Sequence, residues 1–337
     1  MIEKSDKLTI PTTIYRHFDA VIPAFAVLAG MQLDVFTPLK NGPMSAETLA
    51  KSLNVQAMKL QPLLYSLVMA DLLNVENGIF SNTDEANCFL VSSSPGYIGG
   101  WVSGFYNRRW NAVLQTAKTI RTGKPQAKAG WQTLEEDRLF EILGESHPVA
   151  VVVGKQLAEK YDFTKFKNLL DAGSGTGGLT IGLCESCPNI KGTVVDLPRI
   201  VPFAEQFVSE GDMSNRIRVI ATDLIDRPPE GTYDVAVLRA LIQTLAPNEV
   251  KSVLKNIGKA MESGGFIYIP GYVVDDTRMW PKACVDWNLH FLNIYDDGQA
   301  FTESEHSEWL SDAGFGDISI DYEALPSRFT VVSARKT

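Results

Sequence analysis

A glycine-rich loop between an apolar run and a helical stretch carries the strongest chemical signal in this sequence. Residues 169–183 read LLDAGSGTGGLTIGL, so Asp171 ends the apolar run and Gly173, Gly175 and Gly177 follow at alternate positions. Glycine allows positive φ and lets the backbone approach a ligand closely. A strand, such a loop and then a helix are typical of a nucleotide site at the helix N-terminus, with a purely structural turn as the alternative.

Two aspartates follow the next two apolar runs. Asp196 ends TVVD before LP, and Asp223 ends VIATD before LI. Either alone could be a helix cap or a turn residue. At successive strand ends beside one glycine loop, Asp196 is placed to accept both hydroxyls of a ribose, and Asp223 to meet an adenine amino group. Together they predict an adenosine site.

A second loop, LRALIQTLAPNEV (residues 238–250), lies where an α/β protein is expected to place a catalytic side chain. It offers Gln243 and Thr244, and the nearest acid or base is Glu249. A glutamine side chain forms hydrogen bonds but takes no proton at ordinary pH. This loop therefore predicts orientation of a substrate without its deprotonation.

The alternation of short apolar runs with helical stretches predicts the elements that position these loops. FKNLLD, GTVVD, IRVIATD, YDVAVL and GGFIYIP alternate with helical stretches, which predicts a parallel doubly wound sheet. GDISIDYEALPSRFTVV adds two strands that could form an antiparallel edge pair. We place this α/β domain at residues 114–337, after a mainly helical domain at residues 1–113.

The N-terminal domain predicts a winged-helix arrangement. Residues 13–36 are apolar all round, which indicates one helix that is buried or paired with a partner chain. Two helical stretches follow, and then NVENGIFSNT, a hairpin with Asn77-Gly78 at its turn. The helix that would read DNA offers only Lys59 among apolar residues, so we expect it to be buried or to face a partner chain.

Composition excludes several classes of function. A net charge of −9 argues against a nucleic-acid partner, and no apolar stretch is long enough to span a membrane. The polar N-terminal residues are unlike a secretory signal, so we expect a cytoplasmic protein. Cys184 and Cys187 fall on a predicted amphipathic helix, where we expect no redox role. The four histidines show no metal-ligand spacing, and we expect no metal.

The motifs DAGSGTG, DLP, ATDLI, AMESGGFIYI and SDAGF together resemble those of S-adenosylmethionine-dependent methyltransferases. Nearly the whole chain is similar to the plant-type O-methyltransferases, which include caffeic-acid and hydroxyindole methyltransferases. The resemblance implies a Rossmann-like class I methyltransferase sheet, an N-terminal helical winged-helix dimerisation domain, a homodimer and a small-molecule acceptor. It also implies the cofactor-binding set Asp171, Gly173, Gly175, Gly177, Asp196, Leu197, Asp223, Leu224 and Arg239, the last where the family often has lysine.

The chain departs from this family at the catalytic positions. Gln243 falls where the family has its catalytic histidine, and its two flanking acids correspond to Gly271 and Ala300. A positioned base contributes about 10²–10⁴ in rate, and a phenol with a pKa near 10 benefits from one. The acceptor therefore needs no deprotonation, or the protein no longer transfers methyl groups.

A thioether sulfur has no proton to lose and is the acceptor that these departures favour. Such a site needs orientation of the two reactants and aromatic faces that stabilise a forming cation. An arginine would bind a carboxylate, and because adjacent helical residues point about 100° apart, at most one of Arg108 and Arg109 would face it. The predicted substrate-binding residues are Trp101, Phe105, Tyr106, Arg108, Arg109, His147, Trp287, His290 and Phe291.

The favoured function is therefore S-methylation of a small thioether carboxylic acid, as in the methylthiohydroxybutyrate S-methyltransferases of this family. Three alternatives stay open. The first is O-, N- or C-methylation of a secondary metabolite with His147 or His290 as a displaced base. The second is a non-methylating descendant that keeps the cofactor. The third is a winged-helix regulator, which the negative charge disfavours.

Overall fold

The computed structural model describes residues 10–128, 134–326 and 329–337. The chain divides into two compact units, Met1–Ser103 and Gly104–Thr337, and the predicted division lay after residue 113. Within the described residues no helix is both long and apolar enough to cross a bilayer. The same residues contain no group of three or more histidine, cysteine or acidic side chains suited to a metal ion.

The first unit is helical with a small antiparallel sheet, whose described strands are β1 (Met44–Ser45), β2 (Leu73–Glu76) and β3 (Ile79–Asn82) in the order β1-β3-β2. Asn77 and Gly78 both have positive φ, as a two-residue hairpin turn requires. The helices are α1 (Thr12–Asp19), α2 (Ile22–Gln32), α3 (Phe36–Leu39), α4 (Ala46–Ser52), α5 (Ala57–Met69), α6 (Asp84–Phe89) and α7 (Gly99–Gly104).

The prediction of one continuous helix over residues 13–36 is wrong. The stretch forms three helices, because Pro23 lies in the first turn of α2 and Asp34, with a φ of 55°, interrupts the chain before α3. None of the residues of α1 is buried, whereas α2 buries Ala26 in the core of this unit and also buries Leu28. The helix α1 therefore presents apolar side chains on the surface of the isolated chain.

The second unit begins with the π-helical segment Phe105–Arg109 and a set of helices: α8 (Trp110–Val113), α9 (Thr116–Thr122) and α10 (Glu136–Lys160). Then strands and helices alternate: β4 (Asn168–Ala172), α11 (Gly178–Ser186), β5 (Lys191–Asp196), α12 (Val201–Glu210), β6 (Ile217–Ala221), β7 (Tyr233–Val237), α13 (Pro247–Ala260), β8 (Met261–Gly271). The remaining elements are β9 (Val273–Val274), α14 (Lys282–Ile294), β10 (Phe301–Thr302), α15 (Glu303–Asp312), β11 (Phe315–Asp321) and β12 (Thr330–Lys336).

The described strands of this unit form a seven-stranded sheet in the order β11-β12-β8-β7-β4-β5-β6. Strands β4 to β8 are mutually parallel, and β12 runs antiparallel to both β8 and β11, as the predicted edge pair does. The strand order reverses between β4 and β7. Ligands of doubly wound sheets bind in the crevice at the carboxyl ends of the strands beside such a reversal.

The prediction that α11 is amphipathic is wrong, because its residues from Gly178 to Cys184 are all buried. A Cβ on Gly182 would overlap the carbonyl of Val151, so α10 and α11 pack backbone against backbone. Burial raises the pKa of Cys184 to about 11, which keeps its thiol protonated. This packing places α10 directly beside the glycine loop.

Candidate active site

The glycine loop follows β4 at the reversal of the sheet. Gly173, Gly175 and Gly177 have φ values of 68°, 60° and 70°, which favour glycine at all three positions. The amide of Gly173 donates to the carbonyl of Val195 at 2.9 Å, which fixes the loop against β5. The loop ends at the first turn of the buried helix α11.

Asp196 stands at the carboxyl end of β5 and is bound to the same loop. Its Oδ2 accepts the amide of Gly175 at 2.8 Å, and its Oδ1 accepts the amide of Leu197 at 2.8 Å. Burial raises the pKa of Asp196 to about 6, and these two hydrogen bonds oppose the rise. Each carboxylate oxygen has a second lone pair, so both can also accept a ribose hydroxyl.

Asp171 lies beneath the loop, with 1% of its surface exposed. Its Oδ2 accepts the hydroxyl of Thr180 from α11 at 2.7 Å. Burial raises the pKa of Asp171 to about 6, while the Thr180 hydrogen bond and the positive charge of Arg239 oppose the rise. Arg239, which follows β7, is thereby electrostatically coupled to the end of β4.

Asp223 and Leu224 follow β6, the third strand in this half of the sheet. Oδ1 of Asp223 accepts the amide of Ile225 at 2.9 Å, and Asn256 donates to the carbonyl of Leu224 at 3.0 Å. Leu224 is 6% exposed. These bonds hold the turn rigidly beside the end of β5, where Asp196 lies.

The residues of this edge fit S-adenosylmethionine. The hydroxyl of Ser174 is buried and has no hydrogen-bond partner within the described chain, so a ligand group at the glycine loop would satisfy it. Asp196 and Asp223 present carboxylates at successive strand ends, as ribose and adenine require. When bound there, the cofactor supplies a methyl group activated by its sulfonium charge.

The second loop lies on the other side of the reversal, after β7. Ala240 has a φ of 54°, unusual for a residue with a side chain, and its amide donates to the carbonyl of Pro270 at the end of β8. Gln243 follows in a 3₁₀ turn and is 4% exposed. Its Nε2 donates to the carbonyl of Ala240 at 2.7 Å, which directs Oε1 away from its own loop.

Oε1 of Gln243 lies toward the position where the family has its first flanking acid. An ideal Cβ on Gly271 would be 3.6 Å from it, so a side chain at this position would contact Gln243. Ala300, at the position of the second acid, is fully buried and packs near Phe291. The amide of Gln243 can accept a hydrogen bond from a substrate hydroxyl, but it cannot take the proton.

Aromatic side chains extend from Gly271 toward the π-helical segment, and we call Tyr272, Trp287, Phe291 and Phe105 the aromatic wall. The ring of Tyr272 lies 5.4 Å from that of Trp287 and 5.1 Å from that of Phe291. Trp287 in turn lies 6.2 Å from Phe105. Tyr272 was not among the predicted substrate residues, because nothing in the sequence distinguishes a tyrosine that lines a pocket from one that packs in the core.

Arg108 and Arg109 of the π-helical segment are both half-buried, and their guanidinium groups lie close to one another near Gly104. Arg108 forms an ion pair with Glu145 of α10, whose side chain is only 5% exposed. Arg109 stacks over the Phe105 ring at 4.7 Å. A π turn is wider than an α turn and changes the angle between successive side chains, and the expectation that at most one of the two faces a substrate carboxylate stays a prediction.

The two candidate histidines lie in different surroundings. His147 belongs to α10 beside the glycine loop, where Nδ1 is 2.8 Å from the hydroxyl of Thr176 and the ring stacks on Phe207 at 4.3 Å. His290 lies 5.3 Å from Trp287 at the aromatic wall. Its Nδ1 is buried with no hydrogen-bond partner in the described chain, and burial, with Arg109 and Arg108, lowers its pKa to about 4.

The remaining predicted substrate residues are Trp101 and Tyr106. Trp101 lies on α7 in the first unit and is half-buried. Tyr106, in the π-helical segment, is 53% exposed. Glu145 was missed, since nothing in the sequence separates it from the other acids of α10.

A doubly wound sheet with this cofactor edge and an aromatic wall beside it defines a class of enzyme, the S-adenosylmethionine-dependent methyltransferases. The chain belongs to the O-methyltransferase family. The family's O-methyltransferase domain matches residues 123–316, and its O-methyltransferase dimerisation domain matches residues 15–92.

Relatives extend over nearly the full chain. A 3-hydroxy-5-methyl-1-naphthoate 3-O-methyltransferase of Streptomyces sahachiroi is 27% identical over 91% of this chain and 90% of its own length. A tetracenomycin polyketide synthesis 8-O-methyltransferase of Streptomyces glaucescens is 26% identical over 87% and 88%, respectively. The structure of human N-acetylserotonin methyltransferase shares the fold, with a TM-score of 0.83 at 22% identity over 100% of this chain and 99% of that one.

Proposed function

We propose that this enzyme transfers the methyl group of S-adenosylmethionine to a hydroxyl oxygen of an aromatic secondary metabolite. The aromatic wall beside Gln243 carries the proposal. Trp287 is tilted by 42° against Tyr272 and packs at 63° against Phe105, so the wall offers ring faces and edges against which an aromatic acceptor can pack. Two relatives carry names of O-methyltransferases acting on a naphthoate and on a polyketide, and this supports the same acceptor class here.

Gln243 orients the hydroxyl in this proposal. Its Oε1, fixed by the hydrogen bond from Nε2 to Ala240, accepts the hydroxyl hydrogen and holds the oxygen in place. The products are the methyl ether, S-adenosylhomocysteine and a proton, which passes to water because position 243 supplies no group to take it. Orientation of two bound reactants then supplies the rate enhancement.

A thioether sulfur is the second candidate acceptor, and the amide at position 243 favours it. Gly271, the neighbour of Oε1, lacks the acid that would support a base there. A thioether sulfur loses no proton when it is methylated. The absence of a base at position 243 and of an acid at position 271 therefore does not slow its methylation. The favoured compound of this kind is 4-methylthio-2-hydroxybutyrate.

One assay separates the two acceptors. Purified protein with S-adenosylmethionine is given a panel of hydroxynaphthoates and naphthols and, separately, 4-methylthio-2-hydroxybutyrate, and products are identified by mass spectrometry. We expect a methyl ether with an equal amount of S-adenosylhomocysteine. A sulfonium product with no ether from any hydroxyl compound would overturn the proposal in favour of the thioether.

A further inference from the structure

Two side chains of the second unit each keep a buried nitrogen that has no hydrogen-bond partner in the part of the chain that the structure describes. They are Nε of Arg108, in the π-helical segment, and Nδ1 of His290, on α14. A buried polar atom that stays unpaired costs a folded protein free energy, so almost all such atoms bond to protein, water or a ligand. These two nitrogens therefore mark positions where a further partner is expected.

The nitrogen of Arg108 belongs to a guanidinium group that is held in place. Its Nη2 forms an ion pair with Oε2 of Glu145, whose side chain is 5% exposed. A Cβ on Gly104 would overlap this Oε2 and would lie 3.0 Å from Nη2 of Arg108, so the glycine makes room for the pair. A guanidinium group is planar and has N–H donors but no acceptor. The Nε–H of Arg108 can therefore be satisfied only by an atom that accepts a hydrogen bond.

The nitrogen of His290 belongs to a neutral ring. The ring lies edge-to-face against Trp287, with 5.3 Å between the centroids. Burial, with the charges of Arg109 and Arg108, lowers the pKa of His290 to about 4, so the imidazole carries no charge near pH 7. A neutral imidazole has one N–H, so Nδ1 either donates or accepts according to the tautomer. It can bond to a carbonyl oxygen or to a hydroxyl group.

Arg108 and His290 lie at the same end of the aromatic wall. Phe105 begins the π-helical segment that carries Arg108, and its ring is 6.2 Å from that of Trp287, which His290 also contacts. The charge of Arg108 contributes to the lowered pKa of His290, so the two groups are near each other. One ligand atom at this end of the wall could thus meet both nitrogens.

The opposite end of the wall leads to Gln243. Tyr272 lies 5.4 Å from Trp287 and directly follows Gly271, where a Cβ would be 3.6 Å from Oε1 of Gln243. The wall therefore runs from the orienting amide to the two unpaired nitrogens. An aromatic acceptor that packs along it has a polar group of the protein at each end.

We infer that the aromatic acceptor carries a second oxygen atom, in a carbonyl or a hydroxyl group, which bonds to Nε of Arg108 and Nδ1 of His290 while the reacting hydroxyl lies at Gln243. The inference rests on the proposed function, which supplies the reacting hydroxyl. A carbonyl oxygen has two lone pairs and can accept from both nitrogens, whereas a hydroxyl can accept from Arg108 and donate to His290. An acceptor with one oxygen would leave both nitrogens unpaired.

The test compares acceptors that differ by one oxygen atom. Naphthalene-2,6-diol is paired with 6-methyl-2-naphthol, and 6-acetyl-2-naphthol with 6-isopropenyl-2-naphthol, so that carbon replaces the second oxygen at nearly constant shape. Binding to the full-length protein with S-adenosylhomocysteine is measured by calorimetry. In at least one pair we expect the oxygen compound to bind roughly 10- to 100-fold more tightly, because it pairs two buried groups. The diol pair reports a hydroxyl and the acetyl pair a carbonyl.

Two substitutions test the nitrogens separately. Arg108→Lys keeps a positive charge beside Glu145 but has no Nε–H, and His290→Phe keeps an aromatic ring but has no Nδ1. Each should lower the affinity ratio of oxygen to carbon compound, and the two together should bring it close to one. His290→Asn can place a polar atom near the position of Nδ1 and should keep part of the ratio.

Arg121→Lys is the matched control, since Arg121 is an exposed arginine in the last turn of α9, and it should leave the ratio unchanged. Equal affinities within both pairs for the wild-type protein would overturn the inference, and so would a preference that survives the two substitutions together. Methyl ethers formed from all four compounds at equal KM would overturn it while the proposed function stands. A preference for oxygen without any methyl ether would contradict the proposed function alone.

Discussion

Oε1 of Gln243 faces the unsubstituted Cα of Gly271, where a Cβ would be 3.6 Å away. Family members place a base and its supporting acid at these two positions. Here Gly271 has no side chain, the amide of Gln243 takes no proton, and Nε2 of Gln243 already donates to the Ala240 carbonyl at 2.7 Å. Oε1 of Gln243 can therefore accept a hydrogen bond here, but neither position offers a group that takes a proton.

The pH dependence of turnover follows from this pair. Without an internal base, the hydroxyl held by Gln243 must lose its proton to water before its oxygen attacks, so kcat/KM should rise about tenfold per pH unit up to the pKa of the acceptor, near 10 for a simple phenol. Initial rates from about pH 6 to about pH 9 test this. A rate that is flat above about pH 5 and is lost in His290→Gln would contradict it, because the lowered pKa of His290, about 4, leaves that ring available as a base.

Removal of the orienting amide should have a modest effect. Gln243→Ala loses one hydrogen bond to the acceptor, so kcat/KM should fall by about 2- to 10-fold, far less than the 10²–10⁴ expected for loss of a general base. Thr244→Val is the control, because among the described residues the Thr244 hydroxyl donates to the neighbouring carbonyl of Leu241. A loss above about 10³-fold in Gln243→Ala would show that Gln243 does more than orient the acceptor.

The glycine loop and the strand-end acids could be predicted because their signals are local. Gly173 requires positive φ, and Asp196 directly ends a strand, so a short stretch of sequence determines each. The arginine cluster could not be predicted. It depends on a π turn and on Gly104 lying against Glu145, a residue far along the chain, and neither changes the apolar periodicity. His147 was assigned to the substrate on segment position alone, whereas its described partners are Thr176 and Phe207.

Cofactor affinity should depend on Asp196. Asp196→Ala removes the proposed ribose acceptor and the two loop hydrogen bonds from Gly175 and Leu197, so the Kd for S-adenosylmethionine should rise roughly 10- to 100-fold. Binding should also weaken as pH falls through about 6, where this carboxylate takes up a proton. Calorimetry measures both effects, with exposed Asp226→Ala as the control. An unchanged Kd would remove the assignment of Asp196.

Asp171 should lower the stability of the cofactor-free protein near neutral pH. Burial raises its pKa from the ordinary 3.8 to about 6 in the folded protein, so ionisation costs free energy in the folded state. This penalty is absent below the unfolded pKa and complete above the folded pKa. Asp171→Asn removes it and should stabilise the protein by up to on the order of 3 kcal/mol above pH 6. Urea unfolding should show a smaller gain near pH 5, and a gain independent of pH would contradict the assignment.

The first unit should dimerise through the apolar surface of α1. Ile14 and Phe18 are 57% and 75% exposed, and the region matches the family's dimerisation domain. Exposed apolar patches of this kind mark protein–protein contacts. Light scattering at micromolar concentration should give twice the chain mass, falling to the chain mass in Ile14→Glu with Phe18→Glu, because two carboxylates would be buried without partners. Met58→Glu, at an 83% exposed site on α5, is the control. A wild-type monomer would refute the prediction, and a dimer that survives the double substitution would place the interface elsewhere.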